Sequence, residues 1–467
     1  ILDFGDNAVA QTYTLSGGIG PKLRFDSAAD ASDLVDFNAT SSFYGIEITS
    51  GFSGTVPMQY DGFNITIVNN FTQAAGTFIS PASFTIGDDF IKTGGTFTEG
   101  TGTVIFNNPG SGAYNTDIVE TFYNVSTLSG NINLADTMIV TNLLTLDAGR
   151  FDNETVQAEG NVTVLSTHSS LTTTLLLFAG SATQSFDLTG ATGNWNADIS
   201  VNKSGGQVNL LSALVMDVAS QDLTIIEGAF DINGNALTVN GTSGTLVAQD
   251  GGNLQLQGGE TITANASNPS FQSGSTVTYD GTGGPYTLKD YTYSNLAING
   301  SGATFNMAAS ESINNLTITA GTLDATATPY NLNVAGNWSN SGGFTPRTGT
   351  VTFDGTNQSI SGTTTFNNFS KTESTDNGSD VTLTFGNTGT YTVSGLLTLD
   401  GLDPSDRINL VSDSPGTQWS LTASGTFAID YVDVTDSDAS GGLKIVHSNA
   451  VDGGNTINWF NDAPSIA

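Results

Sequence analysis

The residues with the clearest chemical potential are aspartates near the carboxyl end of the sequence. Asp436, Asp438, Ser440 and Gly441 follow the first half of a calcium loop, in which alternating oxygen ligands precede an obligatory glycine turn. Position twelve should be a bidentate glutamate, but here it is His447. Carboxylates from neighbouring segments could complete the set, so the sequence predicts a Ca²⁺ site with these ligands: Asp433, Asp436, Asp438 and Asp452, with Asp430 nearby. The alternative is an acidic closing turn that holds no metal.

A second acidic segment is the best local match to a catalytic centre. Asp400, Asp403 and Asp406 precede Arg407 within eight residues, and polysaccharide-cleaving enzymes use clustered carboxyls. An acidic turn beside an arginine is more often a solvated turn, so we predict no enzymatic activity here.

Other catalytic and metal chemistries are excluded by composition. The chain has no cysteine and only two histidines, His168 and His447. Thiolate sites, zinc fingers and His-Glu-x-x-His centres therefore cannot form. Neither histidine lies near a Gly-x-Ser-x-Gly nucleophile elbow, and no phosphate-binding glycine loop of the Gly-x-x-x-x-Gly-Lys type occurs. Each histidine is interpreted as a turn residue.

Net charge narrows the choice of partners. The 467 residues include 44 acidic and only 10 basic residues, so the formal net charge is −34. The basic residues are scattered singly along the chain, which excludes nucleic acid as a partner. An anionic membrane surface would repel the chain, and no apolar run reaches the roughly 20 residues of a membrane-spanning helix. Because the first residue is Ile1, we expect a processed segment of an exported chain, located at the cell surface.

Internal repeats define the architecture that must hold these residues. The phrase apolar-Thr-x-x-Ala-Gly-x-apolar recurs with its glycine at Gly76, Gly149 and Gly321, and related copies carry Gly228 and Gly401. These glycines are separated by steps of 73, 79, 93 and 80 residues. Further apolar landmarks keep their order within each period, as in tandem repeats.

Within each period the pattern is that of short strands. Segments such as Val351-Thr-Phe353 alternate apolar and polar residues, and breaks rich in Gly, Asn and Asp separate them. Two architectures fit: a string of β-sandwich domains, or a parallel β-helix with several coils per period. The absence of linkers and a strand-plus-turn spacing of roughly 20 residues favour the β-helix, with about twenty coils in all.

Three segments carry a resemblance to known proteins: 332–344, 349–360 and 431–459. They look like the tandem repeats of very large bacterial surface proteins, and are similar to the right-handed parallel β-helices of filamentous haemagglutinins and autotransporter passengers. The likeness covers roughly residues 41–460. It implies an all-β solenoid and does not imply one activity, because that fold serves adhesins, filaments and polysaccharide-cleaving enzymes.

These observations give the following expected organisation and function. Residues 1–40 form a cap or a strand-donating segment, 41–460 the solenoid repeats, and 461–467 a tail or linker. The expected role is an extracellular structural or adhesive rod that associates end to end with its own copies, and that also contacts glycans or other cell-surface components. The alternatives are a carbohydrate-active enzyme or glycan-binding module, and a calcium-dependent surface-layer protein.

Asparagine is also frequent in the sequence. Asn-x-Ser/Thr sequons include Asn64, Asn161, Asn315 and Asn337. Most arise by chance in a chain this rich in Asn, Thr and Ser, and glycosylation is left open. Inward asparagines are expected to form ladders between stacked coils.

Overall fold

The computed structural model describes residues 2–3, 19–26, 40–58, 64–116, 119–166, 174–265 and 269–460. The fold is all-β, with parallel strands stacked as a β-solenoid of about 19 turns. This confirms the predicted fold class and is close to the expected coil number. A string of β-sandwiches is wrong, since sandwich sheets are antiparallel. Among the described residues, no helix is long and apolar enough to cross a membrane. Of the expected cap or strand-donating segment at 1–40, the structure describes residues 2–3, 19–26 and 40, and the expected tail at 461–467 lies outside the described residues.

The chain divides into two compact units, Ile1–Val247 with Thr261–Ser270, and Ala248–Glu260 with Phe271–Ala467. The strands of the first unit are β1 (Leu2–Asp3), β2 (Ile19–Gly20), β3 (Leu23–Phe25), β4 (Ser41–Phe43), β5 (Ile46–Ile48), β6 (Thr55–Pro57), β7 (Asn64–Ile67), β8 (Phe71–Gln73), β9 (Thr77–Ile79), β10 (Ser83–Ile86), β11 (Phe90–Lys92), β12 (Thr96–Thr98), β13 (Thr103–Thr116), β14 (Glu120–Leu134), β15 (Met138–Leu146), β16 (Arg150–Asn153), β17 (Thr155–Ala158), β18 (Asn161–Val164), β19 (Leu175–Phe178), β20 (Gln184–Asp187), β21 (Asp198–Leu210), β22 (Leu214–Met216), β23 (Asp222–Asp231), β24 (Leu237–Val239) and β27 (Ile262–Ala264). Strands β25 (Thr245–Ala248) and β28 (Ser270–Phe271) fall at the boundaries of the two units.

The strands of the second unit are β26 (Gly252–Leu256), β29 (Thr276–Tyr279), β30 (Tyr286–Thr287), β31 (Asn295–Asn306), β32 (Glu311–Ile313), β33 (Leu316–Asp324), β34 (Leu332–Val334), β35 (Trp338–Asn340), β36 (Gly343–Thr345), β37 (Thr350–Phe353), β38 (Gln358–Ser361), β39 (Thr364–Phe366), β40 (Asn368–Thr372), β41 (Val381–Phe385), β42 (Thr390–Val393), β43 (Leu396–Asp400), β44 (Ile408–Ser412), β45 (Trp419–Ala423), β46 (Thr426–Asp430), β47 (Val432–Asp438) and β48 (Val451–Ile457).

Alternation of side chains along each strand builds the core. In β10, Phe84 and Ile86 point inward and are fully buried, while Ser83 and Thr85 point outward and are half-exposed. Parallel pairing keeps this alternation in register, so Phe84 lies against Val104 of the next coil. Each coil therefore covers the inward side chains of its neighbours, and the core is continuous within a unit.

Four of the five repeated glycines adopt a left-handed backbone conformation. Gly76, Gly149, Gly228 and Gly321 all have a positive φ, between 65° and 85°. A left-handed conformation is cheap only for glycine. At Gly149 a Cβ atom would lie 2.0 Å from the carbonyl oxygen of Gly130, so the site also lacks room for a side chain. The left-handed glycine of the repeat phrase thus lies between two strands at Gly149 and within one long strand at Gly228 and Gly321.

Aromatic side chains stack in columns inside the first unit. Phe71, Phe90 and Tyr114 are aligned on adjacent coils, and their ring centroids are 5.1 and 5.5 Å apart. Phe78 and Phe97 form a parallel column with a spacing of 5.5 Å. Such stacking adds specific aromatic contacts to apolar burial, and it follows directly from repeating an aromatic residue at one register position.

Asparagines form a ladder on successive coils of the second unit. The Asn295 carboxamide oxygen accepts from the Asn315 side chain at 2.8 Å, Asn315 accepts from the Asn337 backbone N–H at 2.7 Å, and Asn337 accepts from Ser359 at 2.8 Å. The predicted ladder therefore exists, but its placement was wrong. Asn295 and Asn315 are half-exposed and Asn337 is exposed, because a carboxamide on the outer surface can reach the next coil.

Candidate functional site

The second acidic segment contributes to a carboxylate cluster. Among the residues that the structure describes, Asp376, Asp403 and Asp406 are the one group of metal-ligating type whose oxygens all lie within 4.8 Å of one another. Asp376 is exposed, Asp403 half-buried and Asp406 fully buried. The cluster joins the segment after β40 to the segment after β43, so only Asp403 and Asp406 were identifiable from local sequence.

Hydrogen bonds within the protein occupy the two predicted carboxylates. Asp406 accepts from the backbone N–H groups of Asn377 and Ser379 at 3.2 and 3.0 Å. Asp403 accepts from the backbone and hydroxyl of Ser405, both at 2.7 Å, and these bonds lower its pKa. The cluster thus fastens one surface loop to another, and a buried, bonded Asp406 is poorly placed to act on a substrate.

The arginine of this segment makes its close contacts outside the cluster. The Arg407 guanidinium donates to the carbonyl of Asn449 at 2.6 Å and lies over the ring of Tyr431, 5.7 Å from its centroid. The positive charge of Arg407 helps to lower the pKa of Asp403, but in the described part of the chain no ion pair joins Arg407 to Asp403 or Asp406.

The four predicted calcium ligands are divided between different environments. Asp433 and Asp452 lie on the adjacent strands β47 and β48. Burial raises the pKa of Asp433, Arg407 opposes the rise, and the negative charges of Asp380 and Asp452 add to it. Of the four predicted ligands, Asp433 and Asp452 are thus close enough to affect each other electrostatically.

Asp436 and Asp438 are engaged elsewhere. Asp436 is buried, and its carboxylate accepts from the Gly416 backbone N–H and the Asn455 carboxamide, both at 2.7 Å. Asp438 accepts from the Ser440 backbone N–H at 2.8 Å. All four side chains offer the oxygen donors that Ca²⁺ prefers, so the calcium site stays a prediction, while the bonds of Asp436 show a structural use of that carboxylate.

A polar and aromatic cluster in the second unit escaped the sequence reasoning. The hydroxyls of Tyr279 and Tyr293 are 2.8 Å apart, and Tyr293 donates to the carbonyl of Lys289. The Lys289 ammonium donates to the carbonyl of Glu260 at 2.6 Å. Phe271 packs on the Tyr293 side of this cluster, with ring centroids 6.4 Å apart.

Glu311 at the start of β32 is the most perturbed carboxyl near this cluster. Its side chain is 7% exposed, and its Oε1 atom is buried without a hydrogen-bond partner. Burial, followed by the negative charge of Asp290, raises the pKa of Glu311 to about 7. In the sequence Glu311 is an isolated glutamate. Its neighbour Asp290 is 21 residues away, in the segment between β30 and β31, so local sequence does not show that the two interact.

His447, the histidine that the structure describes, contacts a backbone carbonyl and an aromatic ring. His447 contacts the carbonyl of Trp459 at 3.2 Å and packs against Phe460 at 4.9 Å. His168 lies outside the described residues. His447 thus helps to fix the chain after the last described strand.

In comparisons with protein-family models, curated proteins and solved structures, nothing matches this chain. The β-solenoid is the part of the stated resemblance that the structure shows.

Proposed function

We propose that this chain is an extracellular structural or adhesive protein of the cell surface, and that its copies assemble into a filament or coat. The observation that carries the proposal is that buried polar side chains form hydrogen bonds between segments of the scaffold. The buried carboxylates of Asp406 and Asp436 each accept hydrogen bonds from another segment of the scaffold.

Buried lysines follow the same rule. Lys203 donates to Gln184 and to the Ala179 carbonyl, and Gln184 donates to two carbonyls of an earlier coil. Lys371 and Gln358 repeat this arrangement in the second unit. Because unbonded buried charge is costly, each lysine and glutamine pair fixes the spacing of the coils that it joins. A scaffold built in this way suits a mechanical role.

The last described strand supports assembly through strand edges. Among the described residues, β48 pairs with β47 alone, and we propose that its other edge offers backbone donors and acceptors to a neighbouring copy. Asp452 is aligned there with the inward residue Val434, which discourages indiscriminate pairing. We propose end-to-end contact at this edge.

Calcium-dependent assembly is the second candidate. Asp433 and Asp452 lie on the last two described strands, and with the nearby Asp380 they place negative charge at the proposed junction. A divalent cation would reduce their repulsion between copies. Removal of Ca²⁺ by a chelator should then dissolve the assemblies, and restored Ca²⁺ should reform them.

Two measurements on the purified full chain test the leading proposal. Electron microscopy should show assemblies larger than one copy. A screen for reducing ends released from neutral and anionic polysaccharides should remain negative. Release of reducing ends that is lost in Glu311→Gln would instead support the carbohydrate-active alternative and overturn the structural proposal.

A further inference from the structure

A groove crosses the outer surface of one sheet in the second unit, and we call it the ladder groove. It passes over four successive strands, β29, β31, β33 and β35, and its volume is about 390 Å³. That volume lies within the range of about 300 to 1,000 Å³ that is usual for small-ligand sites. Its polar lining residues are Thr276, Asn295, Asn315, Thr317, Asn337 and Ser339.

Hydrogen bonds between coils hold the asparagines of the groove in place. Thr276 aligns with Asn295, and Asn315 and Asn337 occupy the equivalent position on the next two coils. The Asn295 amide group donates to the Ser275 carbonyl at 2.9 Å, and its oxygen accepts from the Asn315 side chain at 2.8 Å. Side chains that are already fixed lose less conformational entropy when a ligand binds than mobile ones do.

A second column of small side chains lies beside the asparagines. Ala297 aligns with Thr317, and Thr317 aligns with Ser339. Ala297 is half-exposed and contributes only a methyl group, which leaves room above it for a ligand. The buried residues between the two columns, such as Leu296 and Leu316, belong to the core.

Several polar groups of the groove are available to a ligand. In the part of the chain that the structure describes, no hydrogen bond joins the Thr317 hydroxyl, the Ser339 hydroxyl or the Asn337 amide nitrogen to another residue. Thr317 and Asn337 are exposed, and Ser339 is half-exposed. Hydroxyls both donate and accept hydrogen bonds, and an amide nitrogen donates them. The groove therefore offers a ligand both kinds of hydrogen-bonding group.

We propose that the ladder groove binds an extended, uncharged oligosaccharide segment of a polysaccharide. Each sugar carries several hydroxyls, which match the mixture of donors and acceptors in the lining. The lining repeats once per coil, about every 4.8 Å. An extended β-linked hexose chain repeats once per sugar over a similar length, so successive sugars meet equivalent groups on successive coils. An anionic polysaccharide is disfavoured, because a chain of charge −34 repels it.

The dimensions of the groove predict a short site and weak binding. Four strands about 4.8 Å apart span about 14 Å, which is about three repeats of the coil spacing and hence about three sugars. The lining residues include no aromatic ring, so sugars gain no ring stacking and bind through hydrogen bonds. Several copies in one assembly would bind the same polymer together, and this would raise the overall affinity without any new contact.

The inference rests on the adhesive part of the proposed function and deepens it, because it names the class of ligand and the surface that holds it. Assembly of the chain is measured without any sugar present. A failure of sugar binding therefore leaves the proposed assembly in place.

The test is isothermal titration calorimetry of the full chain with two uncharged hexasaccharides. Cellohexaose has an extended β-linked chain and should bind, whereas the curved, α-linked maltohexaose should bind at least about tenfold more weakly. Thr317→Val/Ser339→Ala removes two hydroxyls at little change in volume and should weaken cellohexaose binding about tenfold. Ala297→Leu fills the groove and should abolish binding. The control Thr352→Val/Ser370→Ala removes the same groups from aligned, half-exposed positions on β37 and β40 and should bind as wild type does.

Each outcome supports or overturns the proposal. Thermal unfolding first establishes that all variants are folded. No heat of binding with cellohexaose, or equal weakening in the control, overturns the ladder groove as a sugar site. Equal binding of the two hexasaccharides overturns the match between sugars and coils. Cellohexaose binding that is accompanied by release of reducing ends would make the site catalytic and overturn the structural function as well.

Discussion

Replacement of Glu311 by glutamine should stabilise the protein above neutral pH. The pKa of Glu311 rises from an ordinary 4.5 to about 7 through burial and the nearby charge of Asp290. Between these values the folded state binds more protons than the unfolded state, so wild-type stability falls as pH rises and is level above about 7. At about 1.4 kcal/mol per pH unit, the ionised carboxyl costs the fold up to about 3 kcal/mol. Glutamine keeps the shape and removes that ionisation.

The assay is the thermal or denaturant unfolding midpoint between pH 4 and pH 8. Glu311→Gln should match wild type near pH 4, where the carboxyl is protonated, and exceed it progressively up to pH 7. Glu154→Gln, at an exposed position, is the matched control and should follow wild type throughout. A constant difference between Glu311→Gln and wild type at every pH would refute the reasoning, because it would show a packing effect without a titration.

Three further predictions concern corners, loops and metal. Gly149→Ala should destabilise the fold by about 1 to 3 kcal/mol or more, since it forces a left-handed alanine against a carbonyl, whereas Gly193→Ala, with open space around it, should be neutral in the same unfolding assay. Asp406→Ala should lower stability by about 1 to 3 kcal/mol by removing the acceptor for two backbone N–H groups, and exposed Asp376→Ala should change it little; equal losses would contradict the fastening role. If the predicted calcium site exists, added Ca²⁺ should raise the Tm, and Asp452→Asn should reduce that rise. A Tm that does not change with Ca²⁺ would favour the alternative, an acidic turn that holds no metal.

Most of the fold could be predicted from local sequence, because two local features recur along the chain. Alternation places residues such as Phe84 inward, and a corner glycine such as Gly149 must adopt a positive φ. Both features involve only a few consecutive residues, so they can be recognised in a single sequence. Repetition then implies stacking, since one coil cannot bury its inward face alone.

The sites were harder to predict because they depend on which loops meet. Asp376 joins Asp403 and Asp406 only through the folding of two separate segments. The acidity of Glu311 depends on burial and on Asp290, which no local pattern reveals. The prediction that Asp436 binds calcium used residue spacing alone. Spacing does not show that Gly416 and Asn455 donate hydrogen bonds to the Asp436 carboxylate.

Electron microscopy of the purified full chain, over a range of protein concentrations, tests the structural role most directly. The account predicts ordered assemblies that contain more than one copy of the chain. Single separate molecules at every concentration, with or without Ca²⁺, would contradict it.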